Sequence, residues 1–209
     1  MPFSPSIAAS YPVVTGCDEV GRGALCGPVV VAAVWFEPSA IPARLLEELD
    51  DSKRLSAKKR ERLAAELRCV ARVAVAASSA ACIDKRGIRT MTLDAMRRAV
   101  LRLSILAPVY VDGVDVPPGI PLPCTAIVKG DATVPQIAAA SIVAKVLRDK
   151  LLTQLALLHP AYGWEKNAGY GTPQHLAALA QYGPTRHHRR SFAPVSGMLA
   201  TTARPAIKR

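Results

Sequence analysis

The amino-acid sequence predicts an α/β fold: a mixed five-stranded sheet flanked by helices, with a small helical region at its C-terminal end. Three observations predict it. β-Branched apolar runs of strand length occur at 13–19 and 28–36, joined by a glycine-rich turn. Segments of helical period alternate with the strands that follow. Half of the 209 residues are apolar and 21% are charged, a composition that can fill a sizeable core.

The two apolar runs, VVTGCDE and PVVVAAVWF, are expected to pair as a hairpin across Gly21–Gly27. Ser56 is a good N-cap for a helix over 57–68 that places Leu63 and Leu67 on one face. A third strand is expected at 70–76. Over 90–103, Leu93, Met96, Val100 and Leu103 recur at helical spacing, leaving Arg97, Arg98 and Arg102 on the remaining face. A short strand at 109–111 runs into Asp112-Gly113, and after a Pro-rich loop another at 124–128 runs into Lys129-Gly130-Asp131. Pro135 suits the first turn of a long helix that His159-Pro160 stops near Leu158. Residues 160–171 read as a loop of glycines and aromatics. Thr172-Pro173 start a further helix and Gly183 ends it. The expected division is an N-terminal extension (1–12), a main domain (13–158), a helical region (159–196) and a basic, flexible tail (197–209).

The chain holds 27 Lys and Arg against 16 Asp and Glu, a formal +11. Eight of these bases and a single acid, Glu165, lie from Lys150 onward, so +7 of the excess sits in the last sixty residues. A polyanionic partner such as nucleic acid fits that balance, although a solvated basic tail gives the same count. No apolar run reaches the ~18–20 residues of a spanning helix, and the N-terminus shows no basic start followed by an apolar core. Five scattered cysteines without a CxxC pair point to buried thiols in a reduced cytoplasm, not to disulfides or zinc.

The positions of the acids matter more than their number. Asp18-Glu19 close the first strand, Asp112 closes the fourth and Asp131 closes the fifth. Parallel pairing of the first and fourth strands would bring these carboxylates to one sheet edge, where open α/β sheets bind ligands. Such a cluster repels itself and is relieved by raised pKa values or by a divalent cation. All-oxygen donors suit Mg²⁺ or Mn²⁺, and two such ions form a clamp for phosphodiester hydrolysis. A single Asp after a strand is more often a turn residue. The Asp18-Glu19 pair running into Gly21-Arg22-Gly23 is harder to read that way, since those glycines let backbone amides approach a phosphate or sugar.

At these residues the chain resembles the ribonuclease HII (type 2 ribonuclease H) family. The matching segments are GCDEVGRG at 16–23, DSKRL at 51–55, VDG at 111–113, KGD at 129–131, AAASIVAKV with Arg148-Asp149, GYGT at 169–172, and HRRSF at 188–192. They keep the family's order over 13–195. The resemblance implies a ribonuclease-H-like sheet and an endonuclease that cuts the RNA strand of RNA/DNA hybrids. It also implies incision of duplex DNA on the 5′ side of an embedded ribonucleotide, leaving 3′-hydroxyl and 5′-phosphate ends. Asp18, Glu19, Asp112 and Asp131 match its catalytic, metal-binding carboxylates, which hold Mn²⁺ or Mg²⁺, two ions per site. Gly21, Arg22 and Gly23 match the loop that contacts the ribose 2′-OH, Tyr170 the tyrosine that stacks on the following sugar, and Lys53 a lysine near the scissile phosphate. Arg189 and Arg190 are expected to touch phosphates, and Arg148 to support Asp131 from behind.

Other residues read blandly. Ser141, Ala144 and Lys145 are expected to pack the long helix, Cys17 to fill space, and His187 and His188 to belong to a phosphate-facing or solvated turn. His175 lies in a first helical turn with no assigned job. Ala168 stands where many members carry lysine, which weakens one phosphate contact that Lys166 partly offsets. The expected partners are RNA/DNA hybrid and ribonucleotide-containing duplex, with no membrane, for a cytoplasmic monomer. The competing classes are a resolvase- or transposase-type nuclease, which would not need Gly-Arg-Gly and Tyr170, and a basic binding module without catalysis.

Overall fold

A computed structural model describes residues 3–202; positions 203–209, the end of the expected tail, lie outside the described residues. The strands are β1 (Thr15–Val20), β2 (Val29–Trp35), β3 (Arg72–Ser78), β4 (Val109–Asp112) and β5 (Cys124–Ile127). The helices are α1 (Ala43–Glu48), α2 (Ala57–Val70), α3 (Ala80–Arg86), α4 (Ile88–Leu103), α5 (Pro135–Leu158), α6 (Trp164–Asn167), α7 (Pro173–Tyr182) and α8 (Val195–Thr202). The sheet runs in the order β3-β2-β1-β4-β5. The expected hairpin is present, β1 lying antiparallel to β2 with Asp18 opposite Ala32. The two later strands add in parallel, β4 beside β1 and β5 beside β4, so the sheet is mixed.

The chain forms two compact units. The first comprises the described residues up to Val20, with Val30–Ala77 and Thr92–Leu147. Its sheet is covered on both faces. Period-two alternation along β2 sends Ala32 and Val34 into a core with Leu45, Leu46, Leu63, Leu67 and α5, while Val31 and Ala33 join Cys17, Met96, Val100, Val109 and Val111 on the α4 side. Ser56 caps α2 by accepting from the Lys59 amide, as its residue type predicts. At the β3 margin, Arg98 donates to the Ala77 carbonyl (2.9 Å) and Arg102 to that of Val75 (3.0 Å).

The second unit comprises Gly21–Val29, Ser78–Met91 and the chain from Arg148 onward. It therefore begins earlier than the expected boundary at 159 and recruits the glycine-rich turn as well. The reason lies in packing: Leu25 and Cys26 share a core with Leu152, Ala156, Tyr162, Trp164, Ala178, Leu179 and Val195. Residues 160–171 are not a plain loop, since a 3₁₀ turn at Pro160–Tyr162 and α6 fall within them. Helix α8 starts at buried Val195 and carries regular structure through 197–202, where a flexible tail was expected.

Gly16 decides how closely α5 meets the sheet. A Cβ there would run into the backbone of Gln136 and Ile137 in the first turn of α5. Gly16→Ala should therefore destabilise the fold by about 3 kcal/mol, the upper end of ordinary overpacking costs. Thermal and urea melting check this.

Candidate active site

Extending the β1–β4 register, in which Cys17 pairs with Val111, by one residue sets Asp18 level with Asp112. Asp18 is buried, 6% exposed, at the end of this parallel pair. Burial pushes its carboxyl well above the usual range, and the charges of Glu19 and Asp112 push it the same way. The groups that favour its ionised form are the Ser141 hydroxyl and the Glu19 amide, which donates to Oδ1 at 2.7 Å. No cation stands among them. Ser141 is thus more than helix packing. With its proton given to Asp18, its oxygen accepts from Ser52 at 2.9 Å, so Ser52 and Ser141 orient the carboxylate in series.

Asp131 does not end a strand. β5 stops at Ile127, and a 3₁₀ turn at Gly130–Ala132 carries Asp131. Asp112 holds that turn by accepting the Gly130 amide on Oδ1 (2.8 Å). Burial raises the Asp131 carboxyl, as do the charges of Asp112 and Asp51, whereas Lys53 lowers it. Lys53 is exposed and its charge acts on Asp131.

The four predicted carboxylates all belong to the first unit, and the structure links Asp18 to Asp112 and Asp112 to Asp131. Strand alternation assigns Glu19 to the opposite face of β1 from Asp18, and among the described residues no three such side chains already stand in a coordinating group. The donor chemistry nevertheless fits a hard divalent cation: Glu19 and Asp112 press on the buried Asp18 carboxyl and Asp112 on Asp131, an all-oxygen donor set.

In the second unit the structure overturns two roles. Arg148 was expected behind Asp131. It is buried and gives its guanidinium to the carbonyls of Pro28 (3.0 Å), Ala168 (2.8 Å) and Cys26 (3.0 Å), with Tyr170's ring centroid 5.6 Å away. Arg189 was expected on phosphates. It is fully buried and donates to the carbonyls of Gly21, Arg22 and Gly27. Buried donors already committed to carbonyls cannot serve a ligand. Arg190 is exposed; its amide and that of Ser191 are held by Asp84 at 2.9 Å. Arg22, Gly23 and Tyr170 are exposed, and Gly21 is buried against Arg148, where a Cβ would strike the guanidinium. Ala168, at φ +48°, lends its carbonyl to Arg148. Burial raises the Cys17 thiol far above its ordinary value, in keeping with a packing role.

Sequence reasoning missed a buried histidine pair. His175 and His188 are 0% and 1% exposed, with their Nε2 atoms 3.0 Å apart. One assignment satisfies every contact: His175 Nδ1–H donates to the Tyr170 carbonyl, and its Nε2 accepts from Trp164 Nε1 and from His188 Nε2–H. His188 Nδ1 then accepts the Thr185 amide. Both rings are neutral. The expected solvated or phosphate-facing turn is corrected at His188, because the apolar cluster around Trp164 and Tyr162 takes the ring in. Burial, reinforced by His175, pulls His188 from 6.5 down to about 4. A depressed histidine contributes stability above its unfolded value and loses it as pH falls. Thermal stability should therefore drop as pH falls from 6.5 towards about 4, and His188→Gln should flatten that slope in melting curves across the window.

The chain is similar to known proteins over most of its length. The family model described as Ribonuclease HII matches residues 15–195. A ribonuclease HII of Paramagnetospirillum magneticum is 50% identical over 196 residues, covering 92% of this chain and 97% of the relative. Among solved structures, ribonuclease H2 from Pyrococcus horikoshii superposes with a TM-score of 0.77 at 27% identity, covering 90% of this chain and 97% of that one. The ribonuclease HII in a PCNA complex from Archaeoglobus fulgidus gives 0.74 at 30% identity, covering 86% and 95%. The chain belongs to the ribonuclease HII family and is a metal-dependent endoribonuclease of RNA/DNA hybrids.

Proposed function

We propose that the enzyme also incises duplex DNA on the 5′ side of an embedded ribonucleotide, leaving a 3′-hydroxyl and a 5′-phosphate. The observation that supports the reading is the parallel β1–β4 pairing, which sets buried Asp18 level with Asp112, the residue that holds the turn carrying Asp131. Asp18, Glu19, Asp112 and Asp131 would hold the metal, Mn²⁺ or Mg²⁺, in two sites. When bound, such ions supply a hydroxide near neutral pH and neutralise charge developing on the phosphate.

The protein's own groups do the rest. Ser52 and Ser141 orient Asp18, and Asp112 sets the turn that presents Asp131. Lys53, exposed beside Asp131, offers a point charge to the phosphate, and Arg22 a planar fork. Amides of Gly21-Arg22-Gly23, one residue beyond Val20 of β1, contact the ribose 2′-OH, the local group that separates RNA from DNA. Tyr170, 39% exposed, stacks on the next sugar. Arg190 contacts a phosphate farther along the duplex. The enzyme acts as a cytoplasmic monomer; among the described residues no helix is long and apolar enough to cross a membrane.

Cleavage mapping on a duplex with one ribonucleotide, with and without Mg²⁺ or Mn²⁺, tests the reading. A single metal-dependent cut 5′ of the ribonucleotide is expected, and Asp18→Asn should abolish it while sparing duplex binding. Equal cutting of all-DNA duplex would favour a general ribonuclease-H-fold nuclease instead, and binding without cutting a non-catalytic module. Arg190→Gln should weaken binding evenly across sequences and reduce the salt slope by about one, as loss of one phosphate contact does.

A further inference from the structure

The glycine-rich loop is held from its buried side by a cation. Arg189 is 0% exposed and makes four hydrogen bonds to main-chain carbonyls. Nη2 donates to Gly21 at 2.7 Å and to Gly27 at 3.0 Å, Nη1 to Arg22 at 2.6 Å, and Nε to Gly27 at 3.2 Å. One guanidinium thus closes both ends of the turn.

The direction of those bonds has a consequence for the amides. A trans peptide is planar, with its C=O and N–H pointing opposite ways. The Gly21 carbonyl shares its peptide with the Arg22 amide, and the Arg22 carbonyl shares its peptide with the Gly23 amide. Drawing both carbonyls towards buried Arg189 therefore turns both amides away from it, to the side on which Arg22 and Gly23 are exposed. Successive amides aimed the same way form a concave donor site. The full charge behind them polarises both peptides and strengthens them as donors.

We propose that Arg189 is a positioning residue for ribose selectivity, fixing and polarising the Arg22 and Gly23 amides that face the 2′-OH. The inference rests on the reading that this loop contacts that hydroxyl. Neighbouring groups make the cation's position stiff. Asp84 accepts the amides of Arg190 and Ser191, both at 2.9 Å, and the Ser191 hydroxyl at 2.6 Å, so the main chain just after Arg189 is tied down. Arg189 also lies over Phe192, 5.0 Å from the ring centroid. Arg148 holds the far side of the same segment through Cys26 and Pro28, and its Nε packs where a side chain at Gly21 would stand. Lysine cannot replace this arrangement, because a single ammonium does not span three carbonyls.

The test is single-turnover cleavage, in Mg²⁺, of a duplex carrying one ribose, compared with the same duplex bearing a 2′-fluoro or 2′-deoxy sugar at that position. Arg189→Lys should lower the ribose preference about tenfold, roughly the loss of one well-aimed donor, with Mn²⁺ affinity by calorimetry unchanged. A folded Arg189→Lys protein with the full preference overturns the inference and leaves the loop's role intact. A native enzyme with no ribose preference sinks the loop reading and the inference with it. Where Arg189→Lys does not fold, Asp84→Asn carries the test, since it leaves the guanidinium in place and loosens the turn behind it. A fall in the same ratio supports the assignment, and an unchanged ratio overturns it.

Discussion

The parallel pairing of β1 with β4 is the constraint on which the site depends. It sets two carboxylates from residues 94 positions apart level with each other, one of them buried and raised by the charge of the other. A folded chain tolerates that repulsion when something else is meant to relieve it, and the all-oxygen character of the cluster restricts what that is. Every neighbouring device serves the same end. Gly16 lets α5 approach β1 closely enough for Ser141 to reach Asp18, and Asp112 uses one oxygen to pin the turn that carries Asp131.

The second unit solves a different problem: satisfying the carbonyl oxygens of short loops whose apolar side chains are buried in a core. Two buried arginines do so by collecting carbonyl oxygens, Arg189 across Gly21–Gly27 and Arg148 between Cys26, Pro28 and Ala168. A neutral histidine pair ties the Tyr170 carbonyl to the Trp164 cluster. Guanidinium groups are suited to this work because their donors diverge in a fixed plane.

Much of this was legible beforehand and some was not, for identifiable reasons. Long elements announced themselves: the β1–β2 hairpin by its apolar runs, α2 by Ser56, α5 by Pro135 and His159-Pro160, and α7 by Thr172 and Gly183. Helices α1, α3 and α6 have four to seven residues, too short for a periodic signal. Asp112 could be placed because it ends β4; Asp18 lies inside β1, which runs on to Val20 where Asp18-Glu19 were expected to close it, and Asp131 sits in a 3₁₀ turn that leaves no pattern. The roles of Arg148 and Arg189 were misread because their partners are backbone carbonyls, present at every residue and invisible as sequence. For Ser141, a lone hydroxyl inside the run Ala138-Ala139-Ala140-Ser141-Ile142-Val143-Ala144 was the available clue.

The outermost strands of the sheet carry their own protection. β5 has only four residues, too few to offer a long template. β3 is longer, yet guanidinium groups from α4 sit on the carbonyls of Val75 and Ala77. With these oxygens already accepting from α4, β3 offers fewer free acceptors to a foreign strand at that margin of the sheet.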